Sequence, residues 1–197
     1  MSLRKFGVPT TSNESTIVLM PKLQYRFAVE FVGFGENLQT NQLDALSRNI
    51  TNISKPQMTH DEVVVDVYNS KIFMAGKHTW SALSATFRDD VNNRTSSAIN
   101  SQLNKQVNHI EQSAPAAASA YKFKMYIRSL TGENTGTVQT HSLDRWEIYG
   151  CYIADINYNE VAYNTSDPMT ITVSIKFDNA IYSYEDVDLP DPSLATS

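Results

Sequence analysis

Four histidines, one cysteine and an adjacent pair of aspartates are the residues of this 197-residue chain best suited to chemistry. His60, His78, His109 and His141 could hold a metal or carry a proton, yet none stands at the HxH or HxxxH spacing that brings two imidazoles together locally. Cys151 could serve as a nucleophile, but its place between Tyr149 and Tyr152 in an alternating run suits a buried structural thiol. Asp89 and Asp90 could share acid–base work, but neighbouring side chains diverge, and carboxylates just before a helix serve its N-terminus. No GxSxG, P-loop or GxGxxG pattern occurs, and Gly33-Phe34-Gly35 reads as a turn. The expectation is a protein that is not an enzyme, with no catalytic residues, metal or cofactor.

Composition narrows the class further. The net charge is −5, of which −4 lies in residues 185–197 (Glu185, Asp186, Asp188 and Asp191, with no Lys or Arg), leaving the rest near neutral. No basic stripe of the kind that holds nucleic acid through its phosphates is present. A single cysteine excludes an intramolecular disulfide and fits folding in a reducing cytoplasm. The N-terminal residues lack an apolar signal core, and no apolar run approaches the ~20 residues of a membrane-spanning helix. Sequons at Asn13, Asn49, Asn52, Asn93 and Asn164 follow from an Asn/Ser/Thr-rich composition.

The elements are mostly strands. Residues 1–20 form a polar arm, and Tyr25, Phe27, Val29 and Phe31 alternate with Gln24, Arg26, Ala28 and Glu30. Residues 36–48 are polar, a loop or a short helical turn; Asn49 to Ser54 is β-like and ends at Pro56. One helix is expected, over about 92–111, capped by Asp90 or Asn92, with Ala98, Ile99, Leu103, Val107 and Ile110 on one stripe. Pro115 and the surrounding alanines end it. Strands follow at Tyr121–Leu130, Leu143–Ile156 and Met169–Ala180, with Lys122, Lys124 and Arg128 on one face of the first. About seven strands predict a mainly β fold of two packed antiparallel sheets, a sandwich or open barrel, with one flanking α-helix. The units are an arm at 1–20, a β domain at 21–183 and an acidic tail at 184–197.

The stretch from 62 to 88 carries the most information. Val63, Val65 and Val67 alternate with polar residues and lead to a turn at Asn69-Ser70; Lys71 to Ala75 returns, Gly76 breaks the run, and Trp80 to Arg88 forms another strand. Val64 makes the first strand apolar on both faces, and Ile72, Phe73 and Met74 are three large apolar residues in succession. Such a run fits either a central strand buried on both sides or a hairpin projecting from the sheet, and a hairpin of this length exceeds what one small core needs. Its exposed edges and apolar faces call for a cover, which a second copy of the chain would supply.

In this order and spacing the chain resembles the tail tube proteins of contractile-tailed bacteriophages, which are similar in fold to the type VI secretion tube subunit. The pattern runs from Pro21-x-Leu23 and Phe27-x-Val29 through Lys55-Pro56 to Asn69-Ser70-Lys71-Ile72-x-Met74-Ala75-Gly76. Trp80-x-x-Leu83, Asp89-Asp90, Trp146-x-Ile148-x-Gly150 and Ile171 to Phe177 complete it, covering roughly residues 20–182. The resemblance implies six subunits closing into a ring through a shared β-barrel, and rings stacking into a hollow tube for genome delivery. Tyr68, Asn69, Ser70, Lys71, Ile72, Phe73, Met74, Ala75 and Gly76 would then reach the adjacent ring. The arm and the loops at 36–48 and 157–168 would add contacts. Thr170, Thr172, Ser174 and Lys176 would face the channel, where a polar, weakly charged lining lets DNA pass without sticking. Implied partners are further copies of the chain and sheath, baseplate and tail-terminator proteins, in a virion assembled in the host cytoplasm. A type VI or phage-like contractile injection tube subunit is the near alternative; a monomeric β-sandwich binding module is the distant one.

Overall fold

The computed structural model describes residues 21–36, 38, 40–131 and 142–184; the arm at 1–20, His141 and the acidic residues 185–197 lie outside these. Among the described residues there are nine strands and two α-helices: β1 (Phe27–Val32), α1 (Thr40–Asn49), β2 (Ile50–Ile53), β3 (Met58–Val67), β4 (Ser70–Trp80), β5 (Leu83–Arg88), α2 (Arg94–Gln106), β6 (Phe123–Leu130), β7 (Ser142–Asn157), β8 (Thr170–Lys176) and β9 (Asn179–Tyr184). All strand pairs are antiparallel. One half of the body is β1-β6-β7-β9 and the other is β7-β8-β5-β2.

The sixteen-residue β7 belongs to both halves. Asp144 to Tyr149 pair with β9, whereas Tyr152 to Asn157 pair with β8. The transfer occurs at Gly150, whose φ is +69°. A Cβ there would sit 2.1 Å from Asp178 Oδ2, so left-handed backbone and close packing both demand glycine. Lys122 holds the same carboxylate oxygen, Nζ to Oδ2 at 2.6 Å.

The core lies between the two halves. Alternation buries Val29 and Phe31 of β1, Phe123, Met125 and Ile127 of β6, Leu83, Ala85 and Phe87 of β5, and Ile171, Val173 and Ile175 of β8. Phe31 links the layers, its ring 6.2 Å from Phe87 and 6.3 Å from Phe123. Helix α2 adds Ala98 and Ile99 to this core and buries Gln102, which accepts from Gly35 N at 2.7 Å and donates to Tyr121 O at 2.8 Å. Gln106 does the same for both backbone groups of Ile153, each at 2.9 Å, tying α2 to β7.

Several boundaries differ from those expected of the sequence. Residues 40–49 form a full helix, although their sequence is rich in Asn and Gln. Leu46 is buried, and Asn49 donates to Thr95 Oγ1 of α2 at 2.9 Å, so packing supplies what propensity does not. Helix α2 ends at Gln106 rather than near 111, because Val107 turns extended and Ile110 stands in solvent. The N-cap position is Asn93, left-handed at φ +53° and without a side-chain cap bond, rather than Asp90 or Asn92; Asp90 still accepts from Arg94 N at 2.8 Å, and Asp89 accepts from Ser96. Tyr25 precedes β1 and is exposed, and the stretch 169–180 is split at Asp178 into two strands pairing with different partners. The sheets of this single chain do not close into a barrel among the described residues.

Candidate functional site

Strands β3 and β4 form a two-stranded sheet of their own, with neither strand paired to the body. Every residue of β3 is exposed, and of β4 only Gly76 and Trp80 are partly covered. The hairpin therefore spans 58–80 rather than 62–88; Ser81 and Ala82 separate it from β5, which belongs to the body. The turn is Tyr68-Asn69, with Val67 paired to Ser70 and Tyr68 at φ +50°. Gly76 does not break β4: it sits at a bulge where two β4 residues oppose Asp61, and a Cβ there would lie 3.0 Å from Asp61 O.

Directly paired residues share a face of the hairpin. Val63 with Met74 and Val65 with Ile72 make one apolar face; Val64 with Phe73 make part of the other, beside the Asp66–Lys71 ion pair at 3.7 Å. These six apolar side chains are all exposed, and the tip residue Tyr68 is 99% exposed. The root is firm, because the Trp80 ring lies 5.5 Å from Phe177 at the edge of the core. His60 and His78 face each other there with ring centroids 6.1 Å apart. Their separation of eighteen residues hid this juxtaposition from any local spacing rule. No group of three or more His, Cys, Asp or Glu suited to a metal occurs among the described residues.

The second feature is the outer face of β7-β8-β5-β2. Thr170, Thr172, Ser174 and Lys176 alternate with buried Ile171, Val173 and Ile175, as the sequence predicts. Pairing extends their face sideways: Arg88, Thr86 and Ser84 stand opposite Thr170, Thr172 and Ser174, and Asn157 and Asp155 stand opposite Thr172 and Ser174. Hydroxyls and amides dominate the centre of this face, with Arg88, Lys176 and Asp155 as its charges. Among the described residues β2 pairs with β5 alone and residues 152–157 of β7 with β8 alone, so both ends of this sheet lack a strand partner, although Gln106 of α2 takes both backbone groups of Ile153 on the β7 edge.

The opposite layer is different in character. Arg128 pairs with Glu30 at 3.0 Å, Arg145 with Glu147 at 2.6 Å, and both guanidiniums flank the Tyr126 ring. Lys22 donates to buried Asp144 at 2.5 Å. Burial pushes the Asp144 carboxyl up, but hydrogen bonds from Lys22 and Ser129 outweigh it and hold the group below the ordinary carboxylate range. Of the three basic residues expected on one face of β6, Lys122 and Arg128 are paired with acids, and Lys124 lies 4.9 Å from the Tyr149 ring centre. Cys151 is fully buried, and burial, followed by the Asp178 charge, pushes its thiol up to about 12. Such a group is no nucleophile at neutral pH.

No protein-family model matches the sequence, and a search of curated proteins finds no match. Solved structures do match. A chain of the six-fold symmetrised baseplate of the anti-feeding prophage superposes with a TM-score of 0.60 at 10% identity, covering 84% of this chain and 97% of that one. A chain of the anti-feeding prophage cap gives 0.60 at 12% identity, covering 90% and 100%. A chain of the sheath–tube complex of an extracellular contractile injection system, PVC, gives 0.58 at 12%, covering 94% and 99%. The protein has a tail tube fold.

Proposed function

We propose that this protein is the tube subunit of a contractile tail. Six copies close into a ring when the free β2 edge of one subunit continues onto the free edge of β7 in the next, turning six four-stranded sheets into one barrel. A closed ring removes every exposed edge, which is the physical reason for a chain that leaves two of them without a strand partner among its described residues. The face bearing Thr170, Thr172, Ser174 and Lys176 then lines the channel. Its sparse charge suits a conduit, because a lining rich in Lys and Arg would hold DNA by counterion release.

The observation that carries this conclusion is the hairpin at 58–80, whose apolar side chains are exposed on both faces. A free two-stranded ribbon is marginally stable in water, and an exposed apolar one invites association. In a stack of rings, Tyr68 to Gly76 cross to the neighbouring ring and the apolar faces are covered. Sheath, baseplate and terminator proteins are the further partners, and genome delivery from a virion is the task. A phage-like injection particle is the second reading, favoured because the chains that share this fold include those of extracellular contractile injection systems. The nature of the cargo in the channel separates the two.

Light scattering of the purified protein over a range of concentrations tests the assembly. The expected masses are six-fold multiples of the 22.1 kDa chain, growing with concentration. The Ile72→Asp, Met74→Asp variant is expected to stop at single rings. A variant that builds normal tubes would remove the hairpin from the stacking contact.

A further inference from the structure

The unpartnered edge of β2 borders a cleft to which the ring gives no role. The cleft has a volume of about 800 Å³ and is bounded by residues 22–27 and by β2. All four residues from Ile50 to Ile53 line it, so it follows the edge of the strand and not only one of its faces. Phe27, Ile50 and Ile53 give it an apolar lining, and Lys22, Arg26 and Lys55 give it positive charge. No Asp or Glu is among its described lining residues.

These cations are only partly matched. Lys22 donates to Asp144, and Arg26 Nη1 donates to a neutral partner, the Thr131 carbonyl, at 2.7 Å. Lys55 makes no ion pair with a described residue, and its charge acts on the same Asp144. Three cations against that one carboxylate leave two positive charges over.

The chain carries the opposite charge within reach. Phe27 pairs with Ser129, Ser129 with Asp144, and Asp144 with Tyr184, one row across four strands. The end of β9 therefore stands three strand spacings, roughly 14 Å, from Phe27 in the cleft. The next five residues, Glu185-Asp186-Val187-Asp188-Leu189, extend to roughly 17 Å. Asp186 and Asp188 alternate with Val187 and Leu189, the period that gives an extended chain one charged side and one apolar side. The other terminus matches less well, because residues 1–20 hold Arg4 and Lys5 against Glu14, the same sign as the cleft.

We propose that the acidic tail, residues 185–197, docks in the cleft of its own subunit. Val187 and Leu189 lie toward Phe27, Ile50 and Ile53, and Asp186 and Asp188 toward Lys22, Arg26 and Lys55. There the tail covers the β2 edge that a ring gives to β7 of the next subunit. It is thus a guard that keeps free chains apart and leaves when a neighbouring strand takes the edge, a consequence that rests on the tube reading above.

Asn52→Cys with Leu189→Cys in dilute full-length protein tests the docking, buried Cys151 taking no part. A short thiol crosslinker is expected to join the two within one chain. The rate should fall about fivefold with Asp186→Asn and Asp188→Asn added, or in 1 M salt, where the screening length drops to ~3 Å. No crosslink, one formed only between isotope-labelled and unlabelled copies, or one indifferent to both aspartates would overturn the docking. Equal coupling of Asn52→Cys to Val18→Cys would also overturn it, by placing the arm in the cleft. Should the cysteine variants fail to fold, carbodiimide treatment of the parent decides: an amide between Lys22 or Lys55 and a tail carboxylate is expected, and its absence would overturn the docking. For the guard, the chain with Asp186→Asn and Asp188→Asn is expected to close rings at about one-tenth of the parent's concentration. An equal or higher threshold would overturn the guard and leave the tube reading standing. A tail that crosslinks in protein that never forms rings would uphold the docking and overturn the tube reading with the guard.

Discussion

Truncating the hairpin one face at a time should separate assembly from stability. Phe73 is 64% exposed on one face, and Ile72 and Met74 are 51% and 49% exposed on the other. Fully burying such a side chain is worth about 1.5–3 kcal/mol. Covering the part still exposed, less the methyl that alanine retains, leaves roughly 1 kcal/mol for Phe73→Ala and roughly 1.5 kcal/mol for Ile72→Ala with Met74→Ala. At 1.4 kcal/mol per decade these are about fivefold and about tenfold weakenings of each subunit contact. Where a ring docks as a unit, the losses at its several contacts multiply. The isolated chain should lose far less than the 2–5 kcal/mol of a buried Leu, Ile or Met truncated to Ala, because none of these residues belongs to the core. Sedimentation gives the concentration at which polymer appears, and urea denaturation of dilute protein gives chain stability. The reasoning predicts that both variants raise the first several-fold and barely move the second. An unchanged polymerisation threshold with a core-sized fall in stability would refute it, and a response from only one variant would mean that one face of the hairpin stays in water.

Four further outcomes are expected. Gly150→Ala forces a side chain into left-handed backbone and displaces Asp178 from Lys122; calorimetry should show a loss of roughly 2–3 kcal/mol, a melting shift of several degrees. Asp144→Asn removes the charge from the Lys22 contact and should cost roughly 1–2 kcal/mol at neutral pH, the half-exposed lysine limiting the effect. Because the Asp144 carboxyl titrates lower in the folded chain than in the unfolded one, at about 3.9, its contribution is present above that pH and lost as pH falls below it. Acid denaturation curves of parent and Asp144→Asn should therefore converge below pH 4. Cys151, with its thiol pushed up to about 12, should resist alkylation at pH 8 in the native protein and react once urea unfolds it. Thr172→Lys places positive charge in the middle of the polar face, and tubes built from it should retain DNA at low salt, where parental tubes do not.

The strands that alternate cleanly were legible from sequence because one face of each is buried. Ile171, Val173 and Ile175 interleaved with Thr172 and Ser174 could be read directly, as could Phe123, Met125 and Ile127. Helix α1 was not legible: its stabilising contacts, Leu46 in the core and Asn49 on Thr95, are tertiary, and its composition points to loop. The long apolar run after Met169 concealed a change of partner, since Asp178 passes the chain from β8 to β9 beside Gly150. The hairpin was legible as an oddity but not in its extent. Polar Thr59, His60 and Thr79 look like loop, yet they pair because the ribbon has no buried face to impose a pattern. The polar sheet face needed two strands in register with β8, which no single stretch of sequence contains.

Electron microscopy of the purified parent protein at high concentration tests the central claim most directly. The account predicts hollow rings with six-fold end views and stacks of them in side view, with density bridging each ring to the next where the hairpin crosses. Discrete particles of a single 22.1 kDa chain at every concentration, with or without an added nucleating ring, would contradict it.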